Sequence, residues 1–167
     1  MEEEILDVVD ENDKFVKKAT RKEVREKVLL HRVARVIIKN NKNEFVIQKR
    51  NSDKKTFPSN FDIGVAETVK SGESYEAAAI RGLKEELAIN VANQPRFLFT
   101  IKYNSQQTKE ICKVYEISHN GKIKFQKEEI EEVKVLEINE VKNLIQKNPF
   151  HPVGKLAFKK YLKTIKR

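Results

Sequence analysis

Between Ser71 and Asn90 the chain reads SGESYEAAAIRGLKEELAIN, one amphipathic helix flanked on both sides by runs of β-branched and apolar residues. A helix in that position must cover strands drawn from both sides of it. Upstream, EILDVVD and FVKKATR read as strands about the turn ENDK, and LLHRVARVIIKN and EFVIQKR as a hairpin about NNKN. A polar loop broken by Pro58 leads to FDIGVAETVK, which is short and extended. Downstream, RFLFTIKY and ICKVYEI read as two more strands closed by the turn HNGK, and EEVKVLEI as a strand entering the helix NEVKNLIQK. NPFHP then breaks the chain before a last helix. With no internal repeat and no low-complexity linker, this order of mixed strands around one central helix predicts one domain, an α+β or α/β/α sandwich.

Length agrees, since 167 residues are enough to bury one sizeable core. Residues 1–30 form N-terminal strands and a lead-in, and residues 150–167 a basic C-terminal helix. No apolar run approaches the roughly 20 residues that cross a bilayer, so no membrane association is expected. The acidic start MEEEILDVVD does not resemble a signal peptide, and a single cysteine excludes an internal disulfide, so the expected compartment is the cytoplasm. A net charge of +9 points to anionic partners. The tail VGKLAFKKYLKTIKR carries basic residues and no acid, and Phe158, Tyr161, Leu162 and Ile165 share one face. A terminal helix docked on the core explains that pattern better than a nucleic-acid surface, because basic residues are not interleaved with aromatic platforms.

The central helix carries the chemistry. Positions 82, 85 and 86 project together, and two of them, Glu85 and Glu86, are carboxylates. Neighbouring carboxylates are tolerated in solvent or around a cation, and oxygen ligands suit Mg²⁺ or Mn²⁺, which in turn bind phosphates. Gly82 is the anomaly on this face, because glycine within a helix costs about 1 kcal/mol relative to alanine.

Glu73, Arg81, Leu83, Glu85, Glu86 and Ile89 stand at the spacing of the Nudix box, and the chain is identified as a member of that superfamily with a degenerate box. Three positions depart from the pattern: Glu67 stands for its first glycine, Gly82 for the glutamate after the arginine, and Ala88 for its last glycine. The resemblance implies an α/β fold, the Nudix α/β/α sandwich with a mixed β-sheet, and a hydrolase that cleaves a diphosphate linkage in a nucleotide-like or other phosphorylated substrate with Mg²⁺ or Mn²⁺. It implies Glu85 and Glu86 as metal ligands with Glu110 as a third, Arg81 as the residue orienting a carboxylate, and Glu73 as a cap or buttress. The carboxylate missing at Gly82 would be replaced from elsewhere; Glu67 is the leading candidate, ahead of Glu110 and Glu128 or Glu129. The alternative is a module without catalysis that binds a phosphorylated ligand, RNA or protein.

LHRVARVIIKNNKNEFVIQKR, DKKTFPSNFDI and KEICKVYEI resemble the isopentenyl diphosphate isomerase-like branch of the superfamily. In that branch Arg50, Lys54 and Lys55 would contact the substrate phosphates, and His31 and Glu110 fit its pattern. Ala66, Glu67 and Thr68 replace its catalytic cysteine, glycine and histidine, so isomerase chemistry ranks third. Cys112, inside an apolar strand, reads as a small buried hydrophobe. His119 and His151 read as surface residues beside turns.

Overall fold

The computed structural model describes residues 3–166; Met1, Glu2 and Arg167, at the ends of the N-terminal lead-in and the basic tail, lie outside the described residues. Strands β1 (Ile5–Val9) and β2 (Phe15–Thr20) pair in antiparallel fashion, and the chain then enters a short helix, α1 (Arg21–Glu26). FVKKATR was expected to be extended to its end, but Thr20 caps a helix there, its hydroxyl accepting from the Glu23 amide at 3.1 Å.

The sheet is built on β3 (Leu30–Lys39). It runs parallel to β8 (Lys109–Ser118) along its whole length and antiparallel to β6 (Val65–Thr68) on its other edge, where Val8 of β1 also meets His31. β7 (Arg96–Asn104) extends the sheet beyond β8. β4 (Phe45–Arg50) lies between β5 (Phe61–Ile63) and β9 (Ile130–Leu136). The hairpin expected about NNKN therefore closes only at its turn, with Lys39 opposite Phe45. The two strands then diverge to different partners, β6 taking up the β3 edge and β5 pairing with β4. Gly64 lets the chain pass from β5 to β6: its φ is +62° and the Val36 carbonyl occupies the place of a side chain.

Alternation along β3 assigns the two faces. Ala34, Val36 and Ile38 pack with Ala78, Ala79, Leu83 and Leu87 of α2 (Tyr75–Leu87). Val33 and Ile37 pack with Val141 of α3 (Ile138–Lys147) and with Val153, Ala157, Phe158 and Tyr161 of α4 (Pro152–Ile165). Helices thus cover both faces of a mixed sheet, the expected sandwich. On α2 it is Ala79, not the exposed Ala77, that joins the core. On α4 the basic face is solvated as expected, but Ile165 is exposed past the end of the covered stripe. A small third cluster, Leu6, Val8, Ala19 and Val24, holds β1, β2 and α1 together. No helix among the described residues is long and apolar enough to cross a membrane.

Candidate active site

Ser74 caps α2 through its side chain, accepting from the Ala77 amide at 3.1 Å, and fixes where the helix begins. Just before it, Glu73 accepts from the Lys70 amide at 2.9 Å, tying the incoming loop to the helix as a buttress. Arg81 is the hub. It donates Nε to Glu73 Oε1 at 2.9 Å, Nη1 to Glu67 Oε2 at 2.9 Å and Nη2 to the Thr68 carbonyl at 2.9 Å, and stands 3.5 Å from Glu85. Burial alone would raise the Glu73 carboxyl, yet the bonds from Arg81 and the Lys70 amide hold it below its ordinary range.

The side chain of Glu67, from β6, lies over Gly82. A Cβ at position 82 would fall on Glu67 Cγ and within 3.4 Å of its Cβ and Cδ. Glu67 and Gly82 are therefore one arrangement: the strand beneath carries the Glu67 side chain onto this face of the helix, and the glycine is what admits it. Glu86 is buried beside it, with Gln48 Nε2 3.3 Å from its Oε2. Burial and then the neighbouring Glu67 carboxylate push the Glu86 carboxyl well above its ordinary range. Glu85 lies on the exposed rim, its side chain 56% accessible. The third departure has a local reason: Ala88 ends α2 with φ 54° and ψ 32°, the left-handed conformation in which glycine is usual.

These carboxylates line a pocket of about 140 Å³ together with Gln48, Arg50, Lys54 and Arg21. Among the described residues no group of three His, Cys, Asp or Glu side chains is already gathered as a metal cage. The buried Glu86 and half-buried Glu67, with Glu85 on the rim, nevertheless fit Mg²⁺, which takes one or two carboxylates and completes its shell with water and substrate phosphates.

A second cavity of about 440 Å³ adjoins the first, sharing Arg21, Arg50, Lys54 and Glu129 with it. Its walls are α1 and the loop 51–60, and its lining includes Lys55, Glu128, His31, Glu110 and His151. Arg50 donates to the carbonyls of Thr56 at 2.9 Å and Phe57 at 3.2 Å and so holds that loop in place. Lys54 is paired with Glu129 across the junction. Glu110 is placed apart from the other expected metal ligands. The β8 register puts it on the face of Cys112 and Val114, opposite α2, and it lines the larger cavity instead of the acidic pocket. It is buried, its Oε1 has no partner among the described residues, and burial pushes its carboxyl up to about 7.

His151 is likewise not a surface residue. It is buried at the start of α4, where Nδ1 accepts from the Val153 amide at 3.2 Å and the ring meets Phe57 edge-on at 4.6 Å. Burial lowers it to about 3. The NPFHP break hid this, because the turn that suggested exposure is the one that tucks the ring inward. Cys112 is fully buried as expected, its thiol pushed up to about 12. Arg21 lines both cavities and went unremarked in the sequence, where it is one basic residue among many.

The NUDIX domain model matches residues 29–156, and the chain belongs to that family. It is 35% identical over 129 residues to an uncharacterized Nudix hydrolase of Streptomyces coelicolor, covering 77% of this chain and 71% of that one. It is 30% identical over 166 residues to one from Pseudomonas aeruginosa, covering 95% and 94%. Among solved structures it resembles DR0079 of Deinococcus radiodurans, with a TM-score of 0.78 and 26% identity over 92% of this chain and 96% of that one.

Proposed function

We propose that this protein is a divalent-metal-dependent hydrolase of a diphosphate linkage whose missing helix carboxylate is supplied by Glu67. The observation that carries this is the contact between Glu67 and Gly82, which returns a carboxylate to the face shared by Glu85 and Glu86. The general Nudix activity, hydrolysis of a diphosphate, comes with the family. Mg²⁺ or Mn²⁺ would be held by Glu86, Glu85 and Glu67, where it neutralises phosphate charge and lowers the pKa of a bound water. Arg81 fixes the direction of Glu67 through a charge-assisted bond, and Glu73 fixes Arg81. Arg21 and Lys54 present positive charge to the substrate phosphates at the junction of the two cavities and Lys55 within the larger one, while Arg50 holds the loop that carries the lysines.

The substrate is a phosphorylated small molecule; a basic, polar cleft suits one better than it suits a nucleic acid. Isomerase chemistry is not favoured, because Ala66 stands where that branch has its cysteine and the Cys112 thiol is sealed in the core. The lone thiol suits a reducing compartment such as the cytoplasm.

The test is phosphate or nucleoside monophosphate release from a panel of nucleoside diphosphates, triphosphates and dinucleotides with Mg²⁺ or Mn²⁺. Wild type is expected to turn over, and Glu67→Gln to lose about a hundredfold or more. Gly82→Glu alone should also fail, since the new side chain displaces Glu67. Glu67→Gly combined with Gly82→Glu should recover activity. Unchanged turnover in Glu67→Gln removes the substitution, and metal-independent silence of every form leaves a module that binds a phosphorylated ligand.

A further inference from the structure

The matched family domain begins at residue 29, yet part of the cleft is built by what precedes it. β1, β2 and α1 have their own apolar cluster, and from it Leu6, Arg21, Val24 and Arg25 face the 440 Å³ cavity. The join to β3 is made by Val28 with φ 51°, and the loop on the facing side carries Phe57 with φ 48°. Such values are rare for β-branched and bulky residues and are retained where surrounding structure enforces them. Two walls of one cavity are thus held in costly backbone conformations. Within the cavity, Glu110 is 5% exposed and its Oε1 has no hydrogen-bond partner among the described residues. An unpaired buried carboxyl oxygen is unfavourable unless a ligand or water completes it.

We propose that the N-terminal unit completes a substrate subsite, in which Arg21 grips the diphosphate at the junction of the two cavities and Glu110 reads a hydroxyl on the group attached to it. This rests on the hydrolase reading of the acidic pocket. Arg21 is the one residue of the N-terminal helix that lines both the acidic pocket and the cavity, so it stands where a diphosphate must lie if its metal-bound end is among the carboxylates and its substituent is in the cavity. Its 2.9 Å pair with Glu4 is half exposed, and an exposed pair is readily exchanged for a phosphate. Glu110 titrates near neutrality, so its carboxyl both donates and accepts, as a hydroxyl does. Arg25 and Lys109 line the same cavity and favour a polar substituent over an apolar one.

Calorimetric binding of inorganic pyrophosphate and of UDP-glucose, each with Mg²⁺, tests the assignment alongside thermal melting of every variant. Arg21→Gln should weaken both probes about tenfold at unchanged melting temperature, and Arg21→Lys should recover most of that loss. Glu110→Leu should weaken UDP-glucose alone by about tenfold, while Glu110→Gln, which still hydrogen-bonds, should bind nearly as wild type. Pyrophosphate affinity unchanged in Arg21→Gln would reduce that residue to a surface ion pair. Equal loss of both probes in Glu110→Leu would make its role structural. Wild type that binds both probes with these patterns but hydrolyses nothing would overturn only the hydrolase reading; wild type that binds neither overturns the subsite.

Discussion

Two helical glycines in this molecule each admit a carboxylate held by an arginine. Gly82 of α2 lies under Glu67, which is tied to Arg81; Gly154 of α4 lies against Asp62, which is tied to Arg35. The local chemistry is the same and the surroundings are opposite. Arg35 and Asp62 are fully buried between the sheet and α4, and although burial opposes ionisation of Asp62, the Arg35 charge holds its carboxyl below the ordinary range. Arg81 and Glu67 keep 17% and 15% of their side-chain surface and open onto the acidic pocket beside Glu86. A sealed pair specifies how α4 seats on the sheet. The open pair leaves its carboxylate on the wall of a pocket.

Breaking each pair should show that division. The largest effect is expected from Asp62→Ala, which leaves Arg35 charged and unpaired in the core; denaturant unfolding should show a loss of about 3–5 kcal/mol. Gly154→Ala should follow, because its methyl meets a carboxylate that cannot move aside; about 1–3 kcal/mol of stability is expected to go. Gly82→Ala is the contrasting change. The helix gains about 1 kcal/mol of propensity and Glu67 can swing into the pocket, so stability should hold within about 1 kcal/mol while turnover falls about tenfold or more. Equal stability losses at the two glycines would dissolve the distinction.

A subtler contrast concerns pH. The Glu110 carboxyl is raised from 4.5 to about 7 in the folded protein, so the native state binds its proton more tightly than the unfolded chain. Its neutral form stabilises the fold below pH 4.5, and that contribution is lost as pH rises through about 7. Glu110→Gln is therefore expected to gain in melting temperature over wild type between pH 5 and pH 8; a constant difference would place Glu110 in water. The smallest change is Ala88→Gly, which relieves a left-handed alanine and should add about 1 kcal/mol.

Much of the architecture was legible because hydrophobic period is a local property. The strand runs, the Ser74 start of α2, the docked C-terminal helix and the box spacing of Glu73, Arg81, Glu85 and Glu86 were all readable from neighbours in the chain. The parting of β3 from β4 was not, because a turn signal at NNKN fixes two residues of pairing and says nothing of competing strands. Nor was the burial of His151, or the placing of Glu110 on the face opposite α2; both depend on strand pairing and helix docking across long separations.

The sequence by itself determined that a carboxylate-bearing helix would lie on a sheet. Only the tertiary structure decided that the Glu67 side chain lies over Gly82 of that helix. Glu67 and Gly82 are fifteen residues apart and meet because β6 passes under α2; side-chain volume is exchanged between two elements, and such an exchange leaves no periodic trace in either one.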